Sequence, residues 1–369
     1  MENTMDVVKL YDYLHTIPEL GFEEVKTAEF LAQELEKLGY KVTRNIGKTG
    51  VIGEIIGTEP GPTVLARADM DALPFVDAQG QHYANHSCGH DAHCSMLLVA
   101  AANVVGKIKK GKLRVLFQPG EETLRGALAV IRDGIIDDVD IALGMHVRPI
   151  QDIPDGTMSP AVCHASSTFV TIDVEGKGCH GARPHLGVNA VEAAVLIANA
   201  LMALKLNPAL AWSCKVTGIK GGYVAPNIIP DKAQMIIDAR AQTNELMDEL
   251  MTKLTRAAQG AAAALGATAK VTTPGGIIPA AEYNQELTDE VAECIKEVVG
   301  ADKCMPIIIN PGGEDFHYFV RKFPKIKAAY FGVGAGVTPG LHAQDMHLNK
   351  NSLHNGAEVM TKMILKIMG

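Results

Sequence analysis

The spacing of apolar and polar positions divides the chain into three stretches of different character. In the first, apolar residues recur at helical spacing through 6–14 and 27–38, and Gly39 supplies a residue suited to ending the second helix. Short apolar runs at 41–44, 50–56 and 63–66 read as strands, with Gly57-Thr58-Glu59-Pro60-Gly61 as the turn between the last two. The run from Met96 to Val105 reads as a buried helix, and 112–117 and 140–145 as further strands. In the second stretch a strand at 168–174 precedes a helix at 188–204 and strands at 212–219 and 233–239. A long helix at 245–265 and a strand at 268–273 complete it. This β-α-β-β-α-β order is the ferredoxin-like split βαβ pattern, a self-contained unit of about a hundred residues. After Pro279 the α/β character returns, with a helix at 284–299, a strand at 327–331, a Gly-rich loop at 332–340 and an amphipathic helix at 352–368. The expected fold is therefore α/β, with one domain built from 1–166 and 279–369 and a second, 167–278, inserted into it.

The chemistry-bearing residues fall where the apolar strands stop. One strand runs into Arg67-Ala68-Asp69-Met70-Asp71, another into Gln118-Pro119-Gly120-Glu121-Glu122, and a third ends at His146. Ligands bind at the C-terminal ends of strands in open α/β sheets. Ser87-Cys88-Gly89-His90-Asp91-Ala92-His93 puts a thiol, two imidazoles and a carboxylate directly before the buried helix. These are the ligand types of zinc, manganese and similar divalent ions. Adjacent glutamates at a strand end can divide labour between holding metal and acting as general base. His342, His347 and His354 are further candidates by position. In the inserted domain, His180, Asn227 and Arg240 lie at loops or strand ends, as ligand contacts or as a polar network of the domain itself.

Composition narrows the function without naming it. Of 369 residues, 47% are apolar and 21% charged, ordinary for a globular enzyme, and the length calls for two domains. The net charge of −8 carries no basic stripe, which makes nucleic acid and anionic membrane surfaces poor partners. Met1-Glu2-Asn3-Thr4-Met5-Asp6 lacks the basic and apolar regions of a secretory signal, and charged residues interrupt every apolar run short of a membrane span. Seven cysteines without a framework spacing point to free thiols in a reducing compartment, so a cytoplasmic location is expected.

The motifs also occur in the order of a known family. Arg67-Ala68-Asp69-Met70-Asp71-Ala72-Leu73-Pro74, Cys88-Gly89-His90-Asp91-Ala92-His93, Gly120-Glu121-Glu122, His146, Gly178-Cys179-His180, Asn227-Ile228-Ile229-Pro230 and Glu314-Asp315-Phe316 together resemble the M20-type metallo-amidohydrolases. The likeness is to the branch of hippurate hydrolases, N-acyl-amino-acid amidohydrolases and indole-acetyl-amino-acid hydrolases, and it runs from about Leu14 to the C-terminus. It implies a mixed-sheet catalytic domain with an inserted lid and dimerisation domain. It places the ligands of two divalent ions (zinc, manganese, nickel or cobalt) on Cys88, His90, Glu122, His146 and His342. It implies a general base at Glu121 and a supporting carboxylate at Asp71. Substrate contacts would fall on His180, Asn227 and Arg240, and a homodimer would form through the lid. The implied reaction is hydrolysis of an N-acyl or N-aroyl amino acid, a small-molecule substrate. A dipeptidase or carboxypeptidase using the same site is the alternative, and a metal-storage protein without catalysis is the non-enzymatic one. Two departures stand out: 75–85 is short and lacks the usual Glu-rich wording before the Cys motif, and Ala343-Gln344-Asp345 follows His342 where Ser-Pro is commoner.

Overall fold

The computed structural model describes residues 5–222 and 225–369, so the first four residues of the N-terminal stretch read above lie outside it. The described chain divides into two compact units. The first comprises Met1–Cys163, Glu282–Ile309 and Asp315–Gly369, and the second His164–Ala281 with Asn310–Glu314.

The first unit is organised by a seven-stranded mixed sheet. Its strands are β1 (Lys41–Ile46), β2 (Gly50–Ile56), β3 (Glu59–Asp69), β4 (Lys110–Gln118), β5 (Ile141–Pro149), β6 (Met158–Ser159) and β7 (Lys327–Val337). They lie in the order β1-β2-β4-β3-β5-β7-β6. The four central strands β4, β3, β5 and β7 run parallel, while β1, β2 and β6 add on antiparallel at the edges. Central parallel strands are buried on both faces, which explains their almost continuous apolar wording, such as Thr63–Asp69 of β3 and Leu113–Gln118 of β4. Helices α1 (Val7–Leu14), α2 (Val25–Lys37), α3 (His90–Val104), α4 (Gln285–Val299) and α5 (Leu353–Met368) cover it. Of these, α3 is apolar or buried all round: every residue from His90 to Ala101 is buried, as expected for a helix in the centre of a core. It packs against α1, α5 and β3.

Several expectations change. The strand placed at 63–66 begins at Glu59, so the last three residues of the expected turn already belong to it; Glu59 lies opposite Lys110 of β4, and the register is irregular from there to Thr63. The Gly-rich segment after Phe331 is not a loop until Val337; it continues β7, paired with β5 from Lys327 opposite Ile141 to Val337 opposite Pro149. Glycine is used there for close approach, since a Cβ on Gly332 would sit 3.1–3.2 Å from Arg148, Ile308 and Val162. His146 likewise lies inside β5 and not beyond it. The short 75–85 segment forms most of a hairpin, Leu73–Val76 paired with His82–Asn85.

The second unit is a four-stranded antiparallel sheet with the strands Trp212–Gly221, Lys232–Ala241, Ser166–Glu175 and Thr268–Thr272 side by side in that order. Numbered along the chain, that is 2-3-1-4, the ferredoxin-like arrangement. Helices Ala190–Met202 and Asn244–Ala264 pack their apolar stripes, including Ile197, Leu201, Leu250 and Leu254, against Val170, Ile172, Met235 and Ile237 of one sheet face. Burial alternates along Ser166–Glu175 with period two, so the opposite face is open within the unit. Asn310–Glu314, expected with the catalytic domain, groups with the insert. The carbonyls of Asn310 and Gly312 both accept from the Ala165 N–H, and Arg240 Nη1 donates to the Pro311 carbonyl at 2.9 Å.

Candidate metal centre

The centre is assembled where the parallel strands end. Asp69 closes β3, and Asp71 follows two residues later. After β4 the chain turns at Gly120, which adopts φ +63°, and Glu121–Thr123 form one 3₁₀ turn. His146 comes from β5, and His342 from the loop after β7. Cys88 and Gly89 lead into α3, of which His90 is the first residue. Gly89 is demanded twice over: its φ is +83°, and a Cβ there would meet Val147 Cγ2 at 2.5 Å. The cluster motif therefore reads as a tight entry into a helix that nothing can shift, because the helix is core on every side.

Two imidazoles are turned the same way. His90 presents Nδ1 to Asp71 Oδ1 at 3.2 Å, and His146 presents Nδ1 to the Val147 carbonyl at 2.5 Å. With oxygens at Nδ1, each ring carries its proton there and leaves the Nε2 lone pair inward, the orientation that oxygen partners impose on metal-binding histidines. His146 Nε2 lies 3.5 Å from Cys88 Sγ. His90 Nε2 lies 3.8 Å from Glu122 Oε1 and 3.9 Å from Glu121 Oε2, and His342 Nε2 lies 3.6 Å from that same Glu122 oxygen. His90 Nε2 and Glu122 Oε1 are both buried without a hydrogen-bond partner. A buried acceptor left unpaired costs on the order of 1–3 kcal/mol. Here the two unpaired atoms face each other beside a thiol, and a shared cation, once it displaced their protons, would satisfy both.

The electrostatics agree. Burial, reinforced by Glu122, pushes the Cys88 thiol well above its ordinary value. Burial raises Glu122 to about 7, against the pull of His90. Burial drives His146 well down, with His93 and Arg148 adding to it, so its ring is neutral. Burial works against His90 too, but Asp69, Cys88 and Asp71 outweigh it and hold that ring well above the ordinary imidazole value. Protonated thiol, protonated carboxyl, neutral His146 and a proton-bearing His90 are what this donor set adopts in the absence of a metal ion. Every group becomes a good ligand once a divalent ion displaces those protons.

The expected ligands Cys88, His90, Glu122, His146 and His342 thus come together, in the overlapping groups Cys88–His90–His146, Cys88–Glu122–His342 and His90–Glu121–Glu122. Asp71 also joins them, its Oδ2 accepting the Glu122 N–H at 2.9 Å. His347 and His354 fall in no such group among the described residues. His93, part of the ligand-rich motif, is fully used by the protein: Nδ1 meets Asp69 Oδ1 at 2.6 Å, and Nε2 accepts the Val147 N–H at 3.0 Å. Asp69 also holds the fully buried Arg67 at 2.7 Å, and Arg67 in turn reaches Asp315 Oδ1 at 2.9 Å. Asp315 Oδ2 accepts the Ala127 N–H at 2.8 Å. This ionic underlay was not legible in the sequence, although Arg67 and Asp315 both stand inside motifs quoted above; an arginine inside an otherwise apolar strand was its one signal.

In the second unit His180 and Asn227 are neighbours. Cys179–His180 pairs with Ile228–Ile229, and the Gly181 N–H donates to the Asn227 carbonyl at 2.6 Å. His180 Nδ1 accepts the Ala182 N–H at 3.1 Å, which leaves the neutral ring's proton on Nε2. Arg240 stands at the end of its strand, one residue before the last, with Nε donating to Asp238 at 3.0 Å.

Comparison with known proteins decides the family. Residues 65–366 match the sequence profile of Peptidase family M20/M25/M40. The chain belongs to the M20 family. The M20 chain is 32% identical to a hippurate hydrolase of Campylobacter jejuni over 375 residues, covering 98% of this chain and 96% of that one. It is 31% identical over 344 residues to a thermostable carboxypeptidase of Saccharolobus solfataricus, covering 89% and 85%. Among solved structures, a dinuclear metal-binding M20 peptidase of Bacillus subtilis superposes with a TM-score of 0.82 at 26% identity, covering 98% of this chain and 97% of that one. As an M20 member the protein is a metal-dependent amidohydrolase, with the family's mixed α/β architecture.

Proposed function

We propose that this M20 enzyme hydrolyses the amide bond of N-acyl or N-aroyl amino acids, releasing a carboxylic acid and a free amino acid. The observation that carries the reading is the inward convergence of Cys88 Sγ, His90 Nε2, His146 Nε2 and Glu122 Oε1 beside a second, adjacent glutamate. Cys88, His90, Glu122, His146 and His342 would hold two divalent ions, with Asp71 orienting His90 and Glu122. When bound, such ions lower the pKa of a water toward neutrality and polarise the amide carbonyl. A thiolate among the ligands favours zinc, nickel or cobalt, with manganese accepted by the harder donors. Glu121 takes the proton of the attacking water and returns it to the leaving nitrogen. His180, with its proton on Nε2, donates to the oxyanion together with the Asn227 amide. Arg240 binds the substrate's carboxylate with its planar fork. The likeness to hippurate hydrolase over nearly the whole of both chains supports an aroyl or acyl amino acid as substrate.

The second reading, cleavage of short peptides by the same groups, is favoured by the likeness to a carboxypeptidase. Purified enzyme of measured metal content, assayed on N-benzoyl and N-acetyl amino acids beside dipeptides, separates the two. Higher kcat/KM on the acyl compounds supports the first reading and higher values on dipeptides the second. A fully metallated protein inactive on all of them would return it to metal storage. We further propose a cytoplasmic homodimer assembled through the inserted unit, whose edge strand Trp212–Gly221 has one paired side among the described residues. No described helix is long and apolar enough to cross a membrane.

A further inference from the structure

The loop that carries the general base is held from a segment that none of the motifs above includes. Glu24 is fully buried, yet no arginine or lysine among the described residues pairs with it. Its Oε1 accepts the Gly120 N–H at 2.8 Å, and its Oε2 accepts the Thr49 hydroxyl at 2.5 Å. Gly120 is the residue directly before Glu121, in the left-handed region at φ +63°. Its carbonyl is taken as well, by Thr123 Oγ1 at 2.7 Å and the Gly126 N–H at 3.2 Å. Both backbone polar groups of Gly120 are therefore held, and among the described residues the N–H is held by Glu24 alone.

The surroundings leave the loop nowhere else to go. A Cβ on Gly21 would lie 2.8 Å from Thr123 Cγ2, 3.1 Å from Gly120 Cα and 3.1 Å from Asp71 Oδ2. Phe22, itself at φ +66°, lays its ring so close to Gly120 that a Cβ there would be 2.8 Å away. The same segment reaches the other carboxylate: the Ala72 N–H donates to the Glu19 carbonyl at 2.8 Å, next to Asp71. Glu19 in turn uses its carboxylate to receive the Lys26 and Thr27 N–H groups at 2.9 Å, tying the segment to the start of α2. Residues 19–24 thus brace the loops of Asp71 and Glu121 at once.

We propose that Glu24 is a positioning residue for the hydrolysis, fixing the Gly120 peptide so that the Glu121 carboxylate is aimed at its proton. The inference rests on the amidohydrolase reading above. Burying a carboxylate without a cation costs several kcal/mol unless hydrogen bonds compensate; the geometry it maintains is what that cost obtains. A general base works only within hydrogen-bond reach, and a misplacement of about 1 Å can cost on the order of 100-fold in rate.

The test uses three variants of the full-length metallated enzyme. Glu24→Gln keeps an acceptor oxygen at the same reach. Glu24→Asp keeps the charge but withdraws the oxygens by roughly one carbon–carbon bond, about 1.5 Å. Glu24→Ala removes the acceptor. Glu24→Asp and Glu24→Ala should lose about 10- to 100-fold in kcat, with KM, bound metal and circular dichroism unchanged. Glu24→Gln should stay within about threefold of wild type, and Gly120 amide exchange should accelerate only in the Asp and Ala variants. Should Glu24→Ala fail to fold, Glu24→Asp against Glu24→Gln carries the same contrast. Wild-type kcat in Glu24→Asp, equal losses in Glu24→Gln, or a kcat that falls in step with lost metal would each overturn the proposal. If wild-type enzyme hydrolyses none of the amides, the functional reading fails by itself, while Gly120 exchange in the variants still decides whether Glu24 holds the loop.

Discussion

The two units hold their polar groups in opposite ways. In the first, Cys88, His90, Glu121 and His146 are all buried, and each imidazole is turned by a named oxygen. In the second, His180 and Asn227 are exposed and Arg240 is half-buried, each attached to its own strand or loop and not to a common point. The buried unpaired atoms of the first unit lie so close together that one bound cation would answer several of them at once. The exposed donors of the second leave nothing unpaired without substrate. On the proposed roles, pre-organisation is concentrated where charge would be stabilised before substrate arrives, and adaptability where the substrate would be met. Substitutions in the first unit should act on turnover or metal, those in the second on turnover or KM with metal unaffected.

The largest effect belongs to Glu121. Glu121→Gln should keep the fold and the metal content but lose about 10²–10⁴-fold in kcat, because an amide cannot accept the water's proton. Metal analysis beside steady-state kinetics measures this; near-normal turnover would remove Glu121 from the role of base. Next comes His180→Ala, expected to lower kcat by about 10²–10³-fold as a single oxyanion donor, with metal retained. If it altered assembly and left kinetics untouched, the insert would be a structural module and the contrast between the units would fail.

Asp71→Asn tests the rigid side. It keeps the shape while weakening acceptance from His90 Nδ1–H and the Glu122 N–H. Loss of such an outer partner typically costs about 10–100-fold in metal affinity or activity. Titration with a competing chelator should show the loss as affinity; unchanged affinity would mean that the His90 ring is oriented by its packing alone.

How legible these two sides were in the sequence follows from how local their signals are. Cys88, His90, Glu121 and Glu122 stand in short motifs at strand ends or a helix start, and a period of two or of 3.6 finds those elements without tertiary knowledge. The ferredoxin-like insert was legible for the same reason, since six regular elements in fixed order specify it. The continuation of β7 through 332–337 was hidden because Gly332, Gly334 and Gly336 read as a loop, whereas close approach of Arg148 to the first and Pro154 to the second, and a φ of +61° at the third, require them. The Arg67–Asp315 pair, 248 positions apart, leaves no local trace beyond an arginine inside an apolar strand. Glu24 was hidden in a third way, since a glutamate before a helix ordinarily reads as an exposed N-terminal charge, and only the fold turns it inward onto Gly120.

The smallest effect expected is that of Arg240. Its guanidinium is a third exposed, with Nε on Asp238 at 3.0 Å and Nη1 on the Pro311 carbonyl at 2.9 Å, so Nη2 is the group most open to a ligand. A charge-assisted hydrogen bond contributes about 1.5–3 kcal/mol when desolvated, and partial exposure moves this site toward the lower figure. Arg240→Ala should therefore raise KM about tenfold for substrates with a free carboxylate and leave kcat nearly as it was. The matching esters and amides, which offer no carboxylate, should hardly change. That pairing distinguishes recognition from scaffolding: if Arg240 served mainly to fasten Pro311, its loss would weaken acids and amides alike. An equal rise in KM for both would move Arg240 from the substrate to the frame of the insert, leaving His180 and Asn227 as the adaptable side of the comparison.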